Sequence, residues 1–247
     1  MKLITLLLAL FVSMFSYGQD AKEIIRKAEE KMRGKTSSYM EMTIETVRPK
    51  YTREMSLKSW SKGDDFSLMV LTAPAKDAGT AFLKRDREVW NWVPSIERSI
   101  KMPPSMMSQS WMGTDMSNDD LVRESSNVTD YTHKILGDST IDGRKCWKLE
   151  LNPKPDAPVV WGKVVLFIDQ ADYIQLKAEQ YDEDGYLVNI MNSSEIKEMD
   201  GVKMATHLEL IPVDKDGHRT IMKISNIKFN EAYDDGFFTV QNMKRIR

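Results

Sequence analysis

Apolar side chains repeat with two different periods along this chain. In residues 20–34 they recur every three or four positions, which is the spacing of one helical face. Asp20 is a suitable N-cap for this helix, and Gly34 is a suitable end. The pattern therefore predicts one amphipathic helix whose buried face carries Ala21, Ile24, Ile25, Ala28 and Met32.

From Thr36 on, the period changes to two. Met40, Met42 and Ile44 alternate with polar residues, as in a strand that is buried on one side. Further strand-like runs cover residues 55–61, 66–72, 80–84, 88–93, 131–136, 145–151, 160–168, 174–181, 186–196, 202–211 and 220–229. Strand and helix patterns do not alternate along the chain as they do in a parallel α/β fold, and no linker divides the chain. The pattern predicts one large sheet domain.

Three Asp-Gly pairs indicate how the C-terminal strands connect. Asp184-Gly185, Asp200-Gly201 and Asp216-Gly217 each separate two strand-like runs, and successive pairs are 16 residues apart. Asp-Gly accommodates the positive φ angles of a tight hairpin turn. We therefore predict an antiparallel meander of long strands in the C-terminal half.

Residues 102–120 depart from the strand pattern. Pro103 and Pro104 can begin a helix, Gly113 can end it, and residues 117–120 resemble a second N-cap followed by acids. We predict two short helices here, inserted between the two strand-rich halves. Methionine and tryptophan are frequent in the first of them, and unbranched methionine suits a surface that must fit variable apolar shapes. The alternative is that the methionine and tryptophan side chains of this helix fill the core beneath the sheet.

The N-terminus predicts export. Lys2 precedes an apolar run over residues 3–15, and small residues follow at the point where signal peptidase would cleave, after Gly18 or Gln19. The run is shorter than the roughly 20 apolar residues that span a bilayer. The only cysteine, Cys146, is far from the cleavage point, which disfavours a lipid anchor. We expect residues 1–18 to be a signal peptide and the mature chain to be periplasmic.

Composition and motifs narrow the classes of function. Lys plus Arg is 35 and Asp plus Glu is 37, so the formal charge of −2 gives no basic excess for binding nucleic acid. His133, His207 and His218 are scattered, and no phosphate loop, dinucleotide fingerprint or nucleophile elbow occurs. We therefore expect no enzymatic activity, no cofactor and no metal site.

Several segments resemble a known family. Residues 79–84, the Trp-Asn-Trp-Val-Pro stretch at 90–94 and residues 99–102 are similar to the LolA-like family, which includes outer-membrane lipoprotein-sorting proteins. The segment Gln-Ser-Trp-Met-Gly-Thr-Asp-Met-Ser at 109–117 matches an element of one branch of that family. Residues 163–181 and 229–240 extend the resemblance over nearly the whole mature chain.

The resemblance implies a mainly β (α+β) fold, an incomplete and strongly curved antiparallel β-barrel covered by the N-terminal helix and the short inserted helices. Residues 19–247 would form this single LolA-like domain. The hollow would hold acyl chains of lipoproteins or other lipids, and Lys62 stands loosely where the lipoprotein shuttle has a functional Arg, a departure that puts lipoprotein cargo in question. The candidate cavity and lid residues are Phe82, Leu83, Trp90, Trp92, Met106, Met107, Trp111 and Met112. Alternation places Trp90 and Trp92 on one strand face, but it leaves open which face lines the hollow.

These observations predict a monomeric periplasmic carrier of lipid or acylated lipoprotein that delivers its cargo towards the outer membrane, with a membrane transporter or receptor as partner. An alternative is a lipid-sensing or adaptor protein that works with an inner-membrane transporter or signalling partner. A lipid-processing enzyme is a third class, and it would need a polar dyad inside the cavity.

Overall fold

The computed structural model describes residues 20–122 and 126–246, so the predicted signal peptide at 1–18 lies outside the described residues. Within those ranges, no helix is both long and apolar enough to cross a bilayer. The helices are α1 (Ala21–Arg33), α2 (Asn118–Val122) and α3 (Val240–Met243). The strands are β1 (Ser37–Arg48), β2 (Tyr51–Lys62), β3 (Phe66–Ala73), β4 (Ala81–Arg85), β5 (Glu88–Val93), β6 (Arg98–Met102), β7 (Tyr131–Ile141), β8 (Arg144–Pro153), β9 (Lys163–Asp169), β10 (Gln175–Tyr181), β11 (Leu187–Met199), β12 (Val202–Pro212) and β13 (Arg219–Phe229).

All of these strands form one antiparallel sheet. Its 13 strands follow the order β6-β5-β4-β3-β2-β1-β13-β12-β11-β10-β9-β8-β7, so the pairing of β1 with β13 joins two meanders. The sheet curves without closing, because β6 and β7 remain the two edges among the described strands. This architecture confirms the predicted mainly β, incomplete barrel. The three Asp-Gly pairs are turns between consecutive strands, and their glycines all have positive φ.

The N-terminal helix covers the C-terminal half of the inner face, which is the face of the sheet towards the hollow. Asp20 caps it as predicted, because its carboxylate accepts a hydrogen bond of 3.0 Å from the backbone N–H of Lys22. Ile24 and Ile25 are fully buried in a cluster that includes Tyr131 of β7 and side chains of β8 and β9. Burying each of these isoleucines contributes about 1.5–3 kcal/mol.

A second cover lies over the N-terminal half of the inner face, and we call residues 103–122 the strap. Only its last part, α2, is α-helical, and a single 3₁₀ turn at Pro104–Met106 replaces the first predicted helix. Met112 and Gly113 have positive φ, and the Ser110 hydroxyl donates to the carbonyl of Thr114 at 2.5 Å. Such side-chain to backbone bonds compete with helix formation, so this segment folds as a compact loop.

The C-terminal residues cover the outer face of β3 to β5. Phe238 and Met243 are fully buried there against Leu68, Val70 and Leu83. The short edge strand β6 and helix α3 were not predicted from the sequence.

A buried ion pair fixes a turn inside the strap to the sheet. The Arg48 guanidinium lies 2.8 Å from the Asp115 carboxylate, with side chains 10% and 5% exposed. Arg48 also donates to the carbonyl of Gly113 at 2.9 Å. The Thr220 hydroxyl donates to the same Asp115 carboxylate at 2.8 Å, so β1 and β13 hold one turn of the strap together.

We expect Arg48→Met to lower the free energy of unfolding by about 3–5 kcal/mol, because it leaves the buried Asp115 carboxylate without its cation. Urea denaturation measures this change. The matched control is Lys197→Met, which removes an exposed pair with Glu195 and should cost no more than about 1 kcal/mol. Equal costs for the two variants would contradict the anchoring role of Arg48.

Candidate functional site: a methionine-lined cavity

A cavity of about 210 Å³ lies on the inner face between α1 and the strap. Eight of the chain's 17 methionines line it, and they come from α1, the strap and five strands in both halves of the sheet. These are Met32, Met40, Met42, Met69, Met116, Met191, Met204 and Met222. Leu121, Leu208 and Leu210 complete much of the apolar wall.

The alternation of the strands brings these methionines to one surface. Met40 and Met42 are two residues apart on β1, so both point inward, while Tyr39, the residue before Met40, packs on the outer face against Trp60 at 5.3 Å between ring centroids. Methionine has no branch and three rotatable bonds, which lets such a wall change shape at low cost. The present volume is below the roughly 300–1,000 Å³ of typical ligand pockets. A long acyl chain would therefore require these side chains to move.

One carboxylate connects the strap to the C-terminal half of the sheet. Asp120 of α2 accepts hydrogen bonds of 3.0 Å from the Trp161 indole N–H and of 3.0 Å from the Gln180 amide. Its other oxygen accepts from the backbone N–H of Ser117 at 2.9 Å and from the Ser117 hydroxyl at 2.8 Å. The Gln180 carbonyl in turn accepts from Asn189 of β11 at 3.1 Å. Asp120 thus joins elements on both sides of the cavity.

Two ionisable groups near the cavity have shifted pKa values. Burial raises the pKa of the Tyr131 hydroxyl, and the nearby carboxylates of Asp119 and Asp120 act in the same direction. Burial lowers the pKa of the Lys84 ammonium, and the positive charge of Arg33 adds to this effect. Tyr131 therefore stays neutral at physiological pH.

Five of the residues predicted from the sequence lie beside this cavity but not in its wall. Phe82, Met107 and Trp111 are buried in the adjoining inner cluster, where the Phe82 and Trp111 rings are 5.7 Å apart. Met106 and Met112 pack partly buried against the same cluster.

Three other predicted residues lie on the outer face. Leu83, Trp90 and Trp92 pack under the C-terminal segment. The side chains of β5 that point inward are therefore the alternate ones, among them the buried Val89. Lys62 pairs with Asp235 of that segment at 2.7 Å. Cargo contact by these residues stays a prediction. The signal that could have located the wall is methionine at alternate strand positions.

Comparisons with known proteins agree with this fold. The chain is similar to the structure of a LolA superfamily protein from Nitrosomonas europaea, with 26% identity, a TM-score of 0.78 and coverage of 90% of this chain and 98% of that chain. It is also similar to a domain from Vibrio parahaemolyticus described as an outer membrane lipoprotein-sorting protein, with 25% identity, a TM-score of 0.79 and coverage of 91% and 98%. A DUF1329 family protein from Desulfovibrio piger gives 23% identity, a TM-score of 0.82 and coverage of 90% and 97%.

The open barrel and its two covers define a LolA-like protein, which confirms the resemblance found in the sequence. A family model described as an uncharacterized protein matches residues 63–245, and the chain belongs to that family. No curated protein matches the chain.

We expect Asp120→Asn to loosen the strap, because an amide in that position turns a second donor towards Trp161 or Gln180 and loses one charge-assisted bond. Hydrogen exchange in residues 103–122 should accelerate, while exchange in β1 and β2 stays unchanged. The control is Asp184→Asn, in an exposed turn. Unchanged exchange in the strap of Asp120→Asn would contradict its role as the connection.

Proposed function

We propose that this protein is a periplasmic carrier that binds acyl chains of lipoproteins or other lipids and passes them towards the outer membrane. The observation that carries this proposal is the methionine-lined cavity beneath the strap. The description of the Vibrio parahaemolyticus domain as a lipoprotein-sorting protein supports the same broad role. In this proposal the protein binds and releases its cargo without chemical change.

The energetics of such a carrier fit a deformable apolar wall. Removing an acyl chain from water gains about 0.8 kcal/mol per CH₂, so a 16-carbon chain is worth on the order of 10 kcal/mol. The carrier must offer comparable apolar surface, or the cargo stays in the bilayer. It must also release the cargo, which favours a closed state only a few kcal/mol from the open one. Methionine side chains and a strap attached by a few polar contacts meet both requirements.

The test is binding of a neutral apolar fluorescent probe, N-phenylnaphthylamine, and its displacement by dodecyl-chain lipids. We expect Met191→Asp to weaken binding by about tenfold or more, because it places a charge in the apolar wall. The matched control is Met199→Asp, a substitution of the same type on the same strand at a half-buried position outside the wall. No probe binding by the wild type, or equal losses in the two variants, would overturn the proposed site.

Native mass spectrometry of the protein purified from the periplasm tests the carrier role directly. We expect a co-purifying acylated molecule that exchanges readily with lipid vesicles. Slow exchange together with a stable complex with a membrane protein would favour the sensor or adaptor function instead.

The intact mass of the protein tests where it is located. We expect the periplasmic protein to lack residues 1–18, because signal peptidase removes a signal peptide during export. A full-length mass recovered from the cytoplasm would contradict the periplasmic proposal.

A further inference from the structure

A polar row crosses the inner face of the sheet at one end of the cavity. Ser38 of β1 is opposite Ser61 of β2, Ser61 is opposite Ser67 of β3, and Ser67 is opposite Lys84 of β4. All four side chains line the cavity, and the hydroxyls of Ser38 and Ser61 are 2.8 Å apart. The Ser67 hydroxyl makes no hydrogen bond to other residues in the described ranges 20–122 and 126–246. We call these four residues the serine-lysine row.

The neighbouring rows of the same strands are increasingly apolar. Two residues further along each strand, the register places Met40, Ser59, Met69 and Phe82 opposite one another. The following row contains Met42, Leu57 and Leu71. The inner face of these strands is therefore polar at one end of the cavity and apolar further along, which is the arrangement that orients an amphiphile.

Lys84 gives the polar end a cation in an unusual position. Its side chain is 8% exposed, and its ammonium donates to the backbone carbonyl of Asp64 at 2.6 Å. Burial lowers the pKa of this ammonium, whereas the carboxylates of Asp64, Asp65 and Asp119 act to raise it. Burying an ammonium group costs free energy, so a buried lysine beside a cavity is an uncommon arrangement.

Other charges at this end come from α1 and the turn after β2. Lys31 and Arg33 line the cavity together with Glu29 and Asp64, and Arg33 forms an ion pair with Asp64. The end that contains the serine-lysine row thus carries three cations and two carboxylates. The remaining charged residue of the wall, Asp120, already accepts four hydrogen bonds.

We propose that the serine-lysine row is a head-group site, and that the ligand is an acyl amphiphile whose head carries an anionic oxygen, as in a carboxylate or a phosphate. This inference rests on the proposed function and deepens it. Lys84 donates a charge-assisted hydrogen bond to the anionic oxygen, and the Ser67 hydroxyl donates a second bond. The acyl chain extends along the methionine rows towards β12 and β13.

The test compares three ligands of equal chain length that differ only in the head. Dodecanoate, dodecyl phosphate and dodecanol displace N-phenylnaphthylamine from the full protein at pH 7. We expect the anionic ligands to bind about tenfold more tightly than dodecanol, the value of one hydrogen bond to a charged group. Lys84→Met should remove most of this preference, and Lys84→Arg should retain it.

Ser67→Ala provides a second variant that keeps the cation. We expect it to reduce the anionic preference by about threefold, since it removes one neutral donor. Thermal denaturation confirms that each variant is folded, and Ser67→Ala decides the result if Lys84→Met does not fold. Preference for only one of the two anionic ligands supports the proposal and distinguishes a carboxylate source from a phosphate source.

The two proposals fail in different ways. If dodecanol binds as tightly as both anionic ligands and neither Lys84→Met nor Ser67→Ala changes any affinity, the head-group site is overturned while the acyl carrier stands. If the probe and all three ligands fail to bind the wild-type protein, the proposed function itself is overturned.

Discussion

The structure depends on how an open, curved sheet keeps its inner face out of water. A closed barrel would satisfy its own edges, but β6 and β7 do not meet among the described strands. The inner face is therefore covered by separate elements, α1 over the C-terminal half and the strap over the N-terminal half. The strap is held to β1 by the ion pair of Arg48 and Asp115, and to the C-terminal half of the sheet by Asp120. The cavity exists because these two covers do not fill the space between them.

The two attachments of the strap differ in physical character. The Arg48 and Asp115 pair is nearly inaccessible to water, so its separation would leave two buried charges uncompensated. The hydrogen bonds of Asp120 to Trp161 and Gln180 are made to neutral donors, and Asp120 is only partly buried. Water can replace such donors at smaller cost. Movement of the strap would thus begin at α2, while the contact between Arg48 and Asp115 stays fixed.

The sequence pattern predicted α1, 12 of the strands and the three hairpin turns, because each has a local cause in periodicity or in Asp-Gly chemistry. It could not orient Trp90 and Trp92, since Phe238 and Met243 bury the outer face of the same strands and remove the usual polar signal. The edge strand Arg98–Met102 was missed because its exposed, charged residues show little apolar alternation. The cavity wall was missed because its residues come from ten separate helices and strands, and only the tertiary fold brings them together.

The methionines of the cavity wall and the serines at its end both make the core less stable than it could be. A core optimised only for folding would place branched or aromatic side chains at Met40, Met42 and Met69, because these specify one packing arrangement. It would also replace Ser67 with an apolar residue, since its half-buried hydroxyl makes no hydrogen bond within the described residues. The retention of both features on one face, in matching register across adjacent strands, is difficult to explain by folding alone. Both become advantageous when the space they enclose must accept a flexible chain and distinguish its two ends.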